Sequence, residues 1–203
     1  MPHNLAIAGA VSSARPPAQD VSDHELIGLI AGNDKNAMRV LFGRHNVRVF
    51  RFVVRIVGNQ EMAEDLVNEV FLEVWRNAGR FEARSQVTTW MLAIARNKAI
   101  AALRRRPSTV NDDNVMASME DPSDGPEVAM QKSDRSAVLR DCLEQLSPAH
   151  REIIDLVYYH ERSVGEVAKI ICVPVSTVKT RMFYARKHLA QLMAERGIDR
   201  SCL

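Results

Sequence analysis

Helix start and stop signals in the C-terminal part of the chain constrain the fold more than any other feature. Ser147 precedes Pro148, which combines an N-cap hydroxyl with a proline at the first helical position, where its missing N–H is not needed. Ser163 and Glu166 have the spacing of a capping box. Pro174 ends the short helix that follows, because proline lacks a donor and disfavours helix in the residue before it. The spacing predicts three helices in succession, with a tight turn between the last two.

The last of these helices, from about Val175 to Leu192, is basic. No acidic residue occurs between Ser176 and Ala194. Steps of three and four residues place four side chains on one face: Thr177, Thr180, Arg181 and Tyr184. They place the apolar side chains on the opposite face: Val178, Met182, Ala185 and Leu189. Two helices joined by a tight turn, the second of them basic, are typical of a DNA-binding helix-turn-helix, and a surface helix with a solvated basic side is the alternative.

Charge is unevenly distributed along the chain, although the formal net charge is only +2. Acidic residues are absent between Glu82 and Asp112, and basic residues are absent between Pro107 and Gln131. The second segment is also rich in Pro, Gly, Ser and Asp, which predicts a flexible acidic linker. No strand pattern or internal repeat occurs. We therefore expect an all-α chain with a disordered tail (1–21), a first helical domain (22–106), the linker (107–131) and a second domain (132–203).

The start of the chain and the cysteines argue against several classes of protein. The tail lacks a cationic opening and no apolar run approaches the length of about 18 residues that spans a membrane, so we expect a cytoplasmic protein. Cys142, Cys172 and Cys202 are widely spaced, without the spacing of metal ligands, so we expect no metal and no cofactor, and the first two in the core. A Cys/His hydrolase that uses His150 or His160 has no supporting motif, and we expect no enzyme.

The predicted helix from Gln60 to about Asn77 is the most amphipathic in the chain. One stripe is apolar and contains Ala63, Leu66, Val67, Val70, Phe71 and Val74. A second stripe, the acidic strip, contains Glu61, Glu64, Asp65, Asn68, Glu69 and Glu73. Like charges at this spacing destabilise an isolated helix by about 0.2–0.5 kcal/mol per pair. Two interpretations stay open, a solvated face and a face that binds a basic partner.

The predicted helix from Thr89 to Arg106 follows a loop that begins at Phe81. Thr89, Arg96, Asn97 and Arg104 fall within about a third of its circumference. A polar and basic strip beside a loop with nearby aromatic residues suits single-stranded nucleic acid, because cations follow phosphates and flat groups stack on bases. The simpler interpretation is that Trp90 belongs to the core, and this does not exclude a DNA role for the strip.

Three segments in this order resemble the bacterial RNA polymerase sigma factors of the extracytoplasmic-function (ECF) group. They are AEDLVNEVFLEVWRNAGRF, then TTWMLAIARNKAIAALRRR, then, after the linker, LSPAHREIIDLVYYHERSVGEVAKIICVPVSTVKTRMFYARKHL. The resemblance covers about Asp23 to Met193. It implies a factor that binds core RNA polymerase through the β′ clamp and the β subunit, recognises promoter DNA and helps to open it, while the polymerase performs the chemistry. It also implies control by an anti-sigma factor that occludes both domains.

The resemblance also implies roles for individual residues. The acidic strip is implied to bind the β′ clamp: Glu61, Glu64, Asp65, Asn68, Glu69 and Glu73. The minus-ten element is implied to contact Phe81, Ser85, Thr88, Thr89, Trp90, Arg96, Asn97 and Lys98, with Asn97 in the pocket for a flipped base. The minus-thirty-five element is implied to contact Pro174, Ser176, Thr177, Lys179, Thr180, Arg181, Phe183 and Tyr184.

Some positions depart from the pattern of the family. Cys172 stands where the turn usually has glycine, so we expect a strained or reshaped turn. Val87 and Thr88 stand where many relatives have an aromatic residue, and Tyr184 stands where a basic side chain is common. The main rival is a stand-alone helix-turn-helix regulator, which accounts for the C-terminal helices but not for the acidic strip or the Trp90 helix.

Overall fold

The computed structural model describes residues 21–105 and 137–197, and the regular elements within these two ranges are helical. The first range, here the N-terminal unit, contains α1 (Asp23–Ala31), α2 (Lys35–Val57), α3 (Gln60–Asn77), a 3-10 turn (Ala78–Arg80) and α4 (Val87–Arg105). The second range, here the C-terminal unit, contains α5 (137–144 in its described part), α6 (Pro148–Ile154), a π-helical turn (Asp155–Tyr159), α7 (Val164–Ile171) and α8 (Val175–Glu195). The predicted all-α fold is confirmed for these residues. The predicted linker and, apart from Val21, the predicted tail lie outside them.

Capping side chains determine where the N-terminal helices begin. Ser22 and Glu25 have the spacing of a capping box in the sequence, which predicts the start of α1. The box is formed, since Ser22 Oγ accepts the N–H of Glu25 at 3.3 Å and Glu25 Oε2 accepts the N–H of Ser22 at 2.9 Å. Asp34 caps α2 with its carboxylate. Gly58 ends α2 in the left-handed conformation, with φ of 69°, and Asn59 caps α3. Each boundary therefore satisfies backbone groups that a helix end leaves unpaired.

Helix α2 is the centre of the N-terminal unit and packs against α1, α3 and α4. Leu41, Phe52 and Val53 are fully buried on its inner face. The apolar residues of the sequence between Ala37 and Val57 predict that Val47 also belongs to this core, but this prediction is wrong, because Val47 is 49% exposed. Val47 lies six residues after Leu41, about 240° around the helix, so it points away from the core.

A buried histidine takes a core position of α2 that the apolar pattern did not predict. His45 is 9% exposed, and its Nε2 lies 2.6 Å from Asp23 Oδ2. Asp23 also accepts a hydrogen bond from Arg44 Nη1 at 2.9 Å. These contacts hold the start of α1 against the middle of α2.

The C-terminal unit is built around α8, against which α6 and α7 pack. The predicted buried face of α8 is confirmed, since Val178, Met182, Ala185 and Leu189 are all buried. The predicted start signals are confirmed as well. Ser147 Oγ accepts the N–H of His150 with Pro148 in the first turn of α6, and Ser163 and Glu166 form the capping box of α7. None of the helices that the structure describes is both long and apolar enough to cross a membrane.

The cysteines occupy two different environments. Cys142 is fully buried, as predicted, and its Sγ lies 2.6 Å from Arg196 Nη1. The prediction that Cys172 is a core residue is wrong, because its side chain is exposed. Cys172 ends α7 in the left-handed conformation, with φ of 54°, so its side chain projects from the turn. Cys202 lies outside the described residues.

Candidate polymerase-binding and nucleic-acid interfaces

The acidic strip runs along the solvent side of α3. Its exposed members are Glu61, Glu64, Asp65, Asn68 and Glu69, whereas Glu73 is half-buried. The opposite side of the helix is held in the core by Val70 and Val74, which are fully buried. Tertiary packing of this apolar face outweighs the repulsion between neighbouring carboxylates. The strip therefore presents a rigid row of negative charge.

Lys98 of α4 closes the C-terminal end of the acidic strip. Its Nζ lies 3.2 Å from Glu69 Oε2 and 3.9 Å from Glu73 Oε2. Lys98 follows Arg96 by two residues, so the two side chains leave α4 about 160° apart. The structure therefore places Lys98 with the acidic strip and not with Arg96, although the sequence analysis grouped both with the minus-ten contacts.

Aromatic rings line the loop that follows α3. Phe81 is half-buried, and its ring lies 5.0 Å from the ring of Trp90 and 5.8 Å from the ring of His24 between centroids. Trp90 is half-buried and packs against the core, and its ring also contacts Phe81 of the loop. Sequence analysis missed His24, because α1 brings it to this site from a distant part of the chain.

Helix α4 begins earlier than the sequence predicts. The loop was expected to end at Thr88, but the helix starts at Val87, and the Gln86 carbonyl accepts the N–H of Trp90 at 3.1 Å. Val87 is buried and Thr88 is half-buried. The apolar Val87 therefore anchors the first turn of α4 in the core, and no aromatic ring stands at this position.

Two predicted minus-ten residues on α4 are bonded to the C-terminal unit. Thr89 Oγ1 donates to Glu166 Oε1 at 2.6 Å, and Thr89 is 2% exposed. Arg96 forms a two-pronged ion pair with Glu152 of α6, with Nε 2.6 Å from Oε1 and Nη2 3.3 Å from Oε2. Paired hydrogen bonds between a guanidinium and a carboxylate are among the stronger polar contacts in proteins. We call the surface where α4 meets the C-terminal unit the inter-unit contact.

Glu166 is the most heavily bonded carboxylate in the inter-unit contact. Its Oε1 accepts from Thr89 and from Arg162 Nη1, and its Oε2 accepts the N–H of Ser163 at 2.9 Å and the hydroxyl at 2.7 Å. Burial alone would raise the pKa of Glu166, but the hydrogen bonds from Thr89 and Ser163 and the charge of Arg162 outweigh it and lower the pKa to about 2. Glu166 is therefore ionised at neutral pH.

Arg162 and Lys169 extend the inter-unit contact to the loop before α4. Arg162 Nη1 donates to Gln86 Oε1 at 2.8 Å and to Thr88 Oγ1 at 2.8 Å. Lys169 Nζ donates to the carbonyl of Arg84 at 2.9 Å. The C-terminal unit thus holds the loop side of α4 as well as its middle.

A second group of contacts joins α2 to the π-helical turn of the C-terminal unit. Arg55 pairs with Asp155, and its guanidinium lies 4.0 Å from the centroid of the Tyr159 ring. His160 is 2% exposed and meets the ring of Phe52 edge-on, with centroids 5.3 Å apart. The sequence did not predict these contacts, because they depend on how the two units pack together; His160 was considered only as a catalytic candidate without a supporting motif.

The remaining predicted minus-ten residues are not bonded across the inter-unit contact. Asn97 is exposed on α4, and Ser85 and Phe81 are half-buried in the loop. The predicted set is therefore divided between a part that faces solvent and a part, formed by Thr88, Thr89 and Arg96, that faces the C-terminal unit.

Helix α8 presents the predicted minus-thirty-five residues on two sides. Thr180 and Tyr184 are exposed and Thr177 and Arg181 are half-buried, on the face that the sequence predicts. Lys179 and Phe183 lie on another side and line a groove of about 1100 Å³, together with Arg186, Lys187 and Tyr158. Ser176 and Pro174 are exposed at the start of the helix. Thr177, Thr180, Arg181 and Tyr184 therefore form the compact reading face, and Lys179 and Phe183 belong to the groove.

Comparisons with known proteins agree with this architecture. The family described as sigma-70 region 2 matches residues 41–109, and the family described as sigma-70 region 4 matches residues 136–189. The RNA polymerase sigma factor CarQ of Myxococcus xanthus is 33% identical over 167 residues, which cover 81% of this chain and 94% of CarQ. The chain belongs to the ECF sigma factors. The ECF sigma factor SigK of Mycobacterium tuberculosis is 28% identical over 178 residues, which cover 86% of this chain and 95% of SigK.

Solved structures show the same fold as this sigma factor. CnrH, in its complex with the cytosolic domain of CnrY, superposes with a TM-score of 0.62 at 22% identity, covering 85% of this chain and 97% of CnrH. RpoE of Bartonella quintana, in its complex with the anti-sigma factor NepR, gives a TM-score of 0.62 at 22% identity, covering 77% of this chain and 96% of RpoE. The family is that of transcription initiation factors, which bind core RNA polymerase and recognise promoters.

The turn of the helix-turn-helix in this sigma factor contains a strained residue, as its sequence predicts. Cys172 has φ of 54°, a conformation that L-residues other than glycine rarely adopt. The N–H of Val173 bonds back to the carbonyl of Ala168 at 3.1 Å, which closes the end of α7. The end of α7 is therefore closed by a backbone hydrogen bond although Cys172 takes a strained conformation.

Proposed function

We propose that this sigma factor divides its work among three surfaces of the described residues. The acidic strip of α3 binds the β′ clamp of core RNA polymerase. The loop from Phe81, with α4, binds and opens the minus-ten element. The reading face of α8 binds the minus-thirty-five element in the major groove. The protein itself performs no catalysis and acts in the cytoplasm, where the polymerase is.

The acidic strip is the observation that carries this proposal. A helix with five exposed acidic or amide side chains on one face, and its other face buried, is a costly arrangement for a solvated surface. A stand-alone helix-turn-helix regulator does not account for this acidic strip. A basic coiled coil on the polymerase clamp is the complementary partner.

The proposed minus-ten surface combines cations with flat groups. Arg96 supplies a guanidinium for a phosphate, and Phe81, Trp90 and His24 supply rings on which an unpaired base can stack. Asn97 is exposed beside them and offers an amide that can bond to a base edge. Opening DNA costs a few kcal/mol for each extruded base, and contacts of these kinds return that energy.

An anti-sigma factor is the proposed regulatory partner. Two similar structures, CnrH with CnrY and RpoE with NepR, are of complexes, the second explicitly with an anti-sigma factor. On this chain, the groove beside α8 offers apolar walls with a basic rim of Lys179, Arg186 and Lys187. An amphipathic helix with acidic residues along its edges would suit such a groove.

Run-off transcription tests the proposal directly. Purified protein and bacterial core RNA polymerase are given fragments of the source genome, and the transcripts are mapped. We expect core-dependent initiation downstream of a shared two-block sequence. Binding to operator fragments with no dependence on core would instead identify a stand-alone regulator.

Charge reversal on the strip tests the proposed role of α3. Asp65→Lys combined with Glu69→Lys should abolish binding to core, because both side chains are exposed in the middle of the strip. Glu195→Lys, alone and at the exposed end of α8, is the control for an added positive charge. Unchanged core affinity in the double variant would remove the acidic strip from the proposal.

A further inference from the structure

A basic side chain of α4 reaches the acidic strip of α3. Lys98 Nζ lies 3.2 Å from Glu69 Oε2 and 3.9 Å from Glu73 Oε2. In the part of the chain that the structure describes, these are the ion pairs that the strip makes with basic side chains. The strip is therefore uneven, because the end near Glu61 keeps its full negative charge, whereas Lys98 neutralises one of the two carboxylate charges at the other end.

The packing of α4 fixes Lys98 at this position. Ala95 and Ala99 on the same helix are fully buried, and their small side chains allow α4 to lie close to α2 and α3, against which it packs. The side chain of Lys98 is 24% exposed, so its stem lies along the protein while the ammonium reaches the carboxylates. A partner that binds the C-terminal end of the strip must therefore meet Lys98 as well.

The two carboxylates that Lys98 contacts differ in how open they are to a partner. Glu73 is held within its own helix, since its Oε1 accepts a hydrogen bond from Asn77 Nδ2 at 2.6 Å, and its side chain is 40% exposed. The side chain of Glu69 is 57% exposed and lies in the middle of the row of charge. Glu69 is therefore the carboxylate for which Lys98 and a basic partner compete most directly.

A basic partner gains less from Glu69 while Lys98 lies beside it. The cation of the partner must either displace the ammonium of Lys98 or approach it, and like charges repel. Water screens both groups in part, and ion pairs between exposed side chains are weak. Lys98 therefore lowers the affinity of the strip for a basic surface without abolishing it.

We propose that Lys98 sets the affinity of this sigma factor for core RNA polymerase, because it competes with the basic surface of the clamp for Glu69 and Glu73. This inference rests on the role proposed for the acidic strip. Lys98 acts through these two carboxylates, so it is a positioning residue and not a contact of the minus-ten strand. Core affinity is consequently lower than the strip alone would give.

Titration with core RNA polymerase tests the proposal. The whole protein carries a fluorophore at its N-terminus, and its anisotropy is followed as bacterial core is added. Lys98→Met removes the ammonium and should bind core about 2- to 5-fold more tightly than the wild type, the range that an exposed ion pair contributes. Lys98→Gln should show a similar gain, and Lys98→Arg, which keeps the charge, should show none. The gain should shrink as the salt concentration rises, because salt screens the competing charges.

Second substitutions separate local competition from a general change of charge. In a Glu69→Gln background, the gain from Lys98→Met should become smaller, because the main carboxylate of the competition is gone. Glu64→Gln is the matched background, since Glu64 lies on the same strip but contacts Gln60 Nε2, at 3.2 Å, and not Lys98. There the gain should persist. Helical content by circular dichroism confirms that each variant is folded.

Each outcome decides for or against the proposal. Tighter core binding that fades with salt and depends on Glu69 supports it. Unchanged or weaker binding by both Lys98→Met and Lys98→Gln overturns it, because a merely structural link between α3 and α4 gives a loss and never a gain. An equal gain in the Glu69→Gln and Glu64→Gln backgrounds also overturns it. If Asp65→Lys with Glu69→Lys leaves core affinity unchanged, the role proposed for the strip fails; if that variant loses core binding and Lys98→Met gains none, only the role of Lys98 is wrong.

Discussion

Arg96 of α4 and Glu152 of α6 lie face to face across the inter-unit contact, with two guanidinium nitrogens 2.6 and 3.3 Å from the two carboxylate oxygens. Their side chains are 21% and 12% exposed, so water screens the pair only in part. The pair joins residues that are far apart in the sequence. It therefore reports on the assembly of the two units and not on the folding of either alone.

Removing this pair should loosen the assembly of the units. Glu152→Ala should lower the free energy of unfolding by about 1.5–3 kcal/mol, the range for hydrogen bonds to charged groups. Scanning calorimetry should show one transition in the wild type and two in the variant, since the units then melt separately. Adding Arg96→Ala to Glu152→Ala should lower the free energy of unfolding only slightly further. If the losses of the two single variants add up in the double variant, the two side chains do not interact.

The pKa of Glu166 predicts an acid-dependent contribution to stability. The pKa falls from 4.5 to about 2 on folding, so the contribution is fully present above pH 4.5 and is lost as the pH falls through about 2. The difference in free energy of unfolding between the wild type and Glu166→Gln should shrink over this window. Denaturant unfolding at a series of pH values measures it.

Glu25 provides the matched control for Glu166. It forms the same capping box with Ser22, which lowers its pKa, but it lies on α1 and makes no bond across the inter-unit contact in the described residues. Glu25→Gln should therefore show a weaker pH dependence than Glu166→Gln. If the free energy of unfolding depends on pH equally in the two variants, the lowered pKa of Glu166 comes from capping alone, and Thr89 and Arg162 contribute nothing to it.

Glycine at position 172 should stabilise the protein. Cys172→Gly removes a side chain from a left-handed residue, a conformation that costs other L-residues about 1–2 kcal/mol. Because glycine also gains entropy in the unfolded chain, we expect a net gain of about 0.5–1 kcal/mol in the free energy of unfolding. Cys172→Ala keeps the strain and should show no gain. Promoter affinity should be unchanged, since Cys172 is not among the residues proposed to contact DNA.

Arg181 should read a base, and Lys187 should contact a phosphate. Arg181→Ala should cost about 1–3 kcal/mol on the mapped minus-thirty-five sequence and less on a mutated one. Lys187→Ala should weaken binding about equally on all DNA sequences. It should also reduce the slope of the logarithm of the binding constant against the logarithm of the salt concentration by about one. Titrations of duplex DNA at several salt concentrations separate the two. An equal loss on every sequence for Arg181→Ala would reduce that residue to a phosphate contact.

Local signals in the sequence predicted most of the helices of the described residues. Ser22, Ser163 and Pro148 act through neighbours within a few residues, and such short-range geometry can be read from the sequence alone. The buried face of α8 follows from apolar spacing. Val47 shows the limit of this approach, because an apolar residue on the outer side of a helix looks like a core residue unless the angle around the helix is followed.

Contacts between the two units could not be predicted in the same way. Arg55, Asp155 and His160 carry no local signal, and their pairing depends on how α2 meets the π-helical turn. The ion pairs of Lys98 with Glu69 and Glu73 of α3 could not be predicted either, because they depend on how α4 packs against α3. His24 reaches the aromatic loop because α1 packs against the rest of the N-terminal unit, through buried residues such as Leu26 and Ile30 and through the contact of Asp23 with His45.

Glu166 divides its two carboxylate oxygens between two tasks. Oε2 stays bonded to Ser163 within the first turn of α7, while Oε1 holds Thr89 across the seam. Of the four hydrogen bonds to this carboxylate, only the one from Thr89 comes from α4, because Arg162 and Ser163 belong to the C-terminal unit. The N-terminal cap of α7 therefore does not depend on the contact with α4.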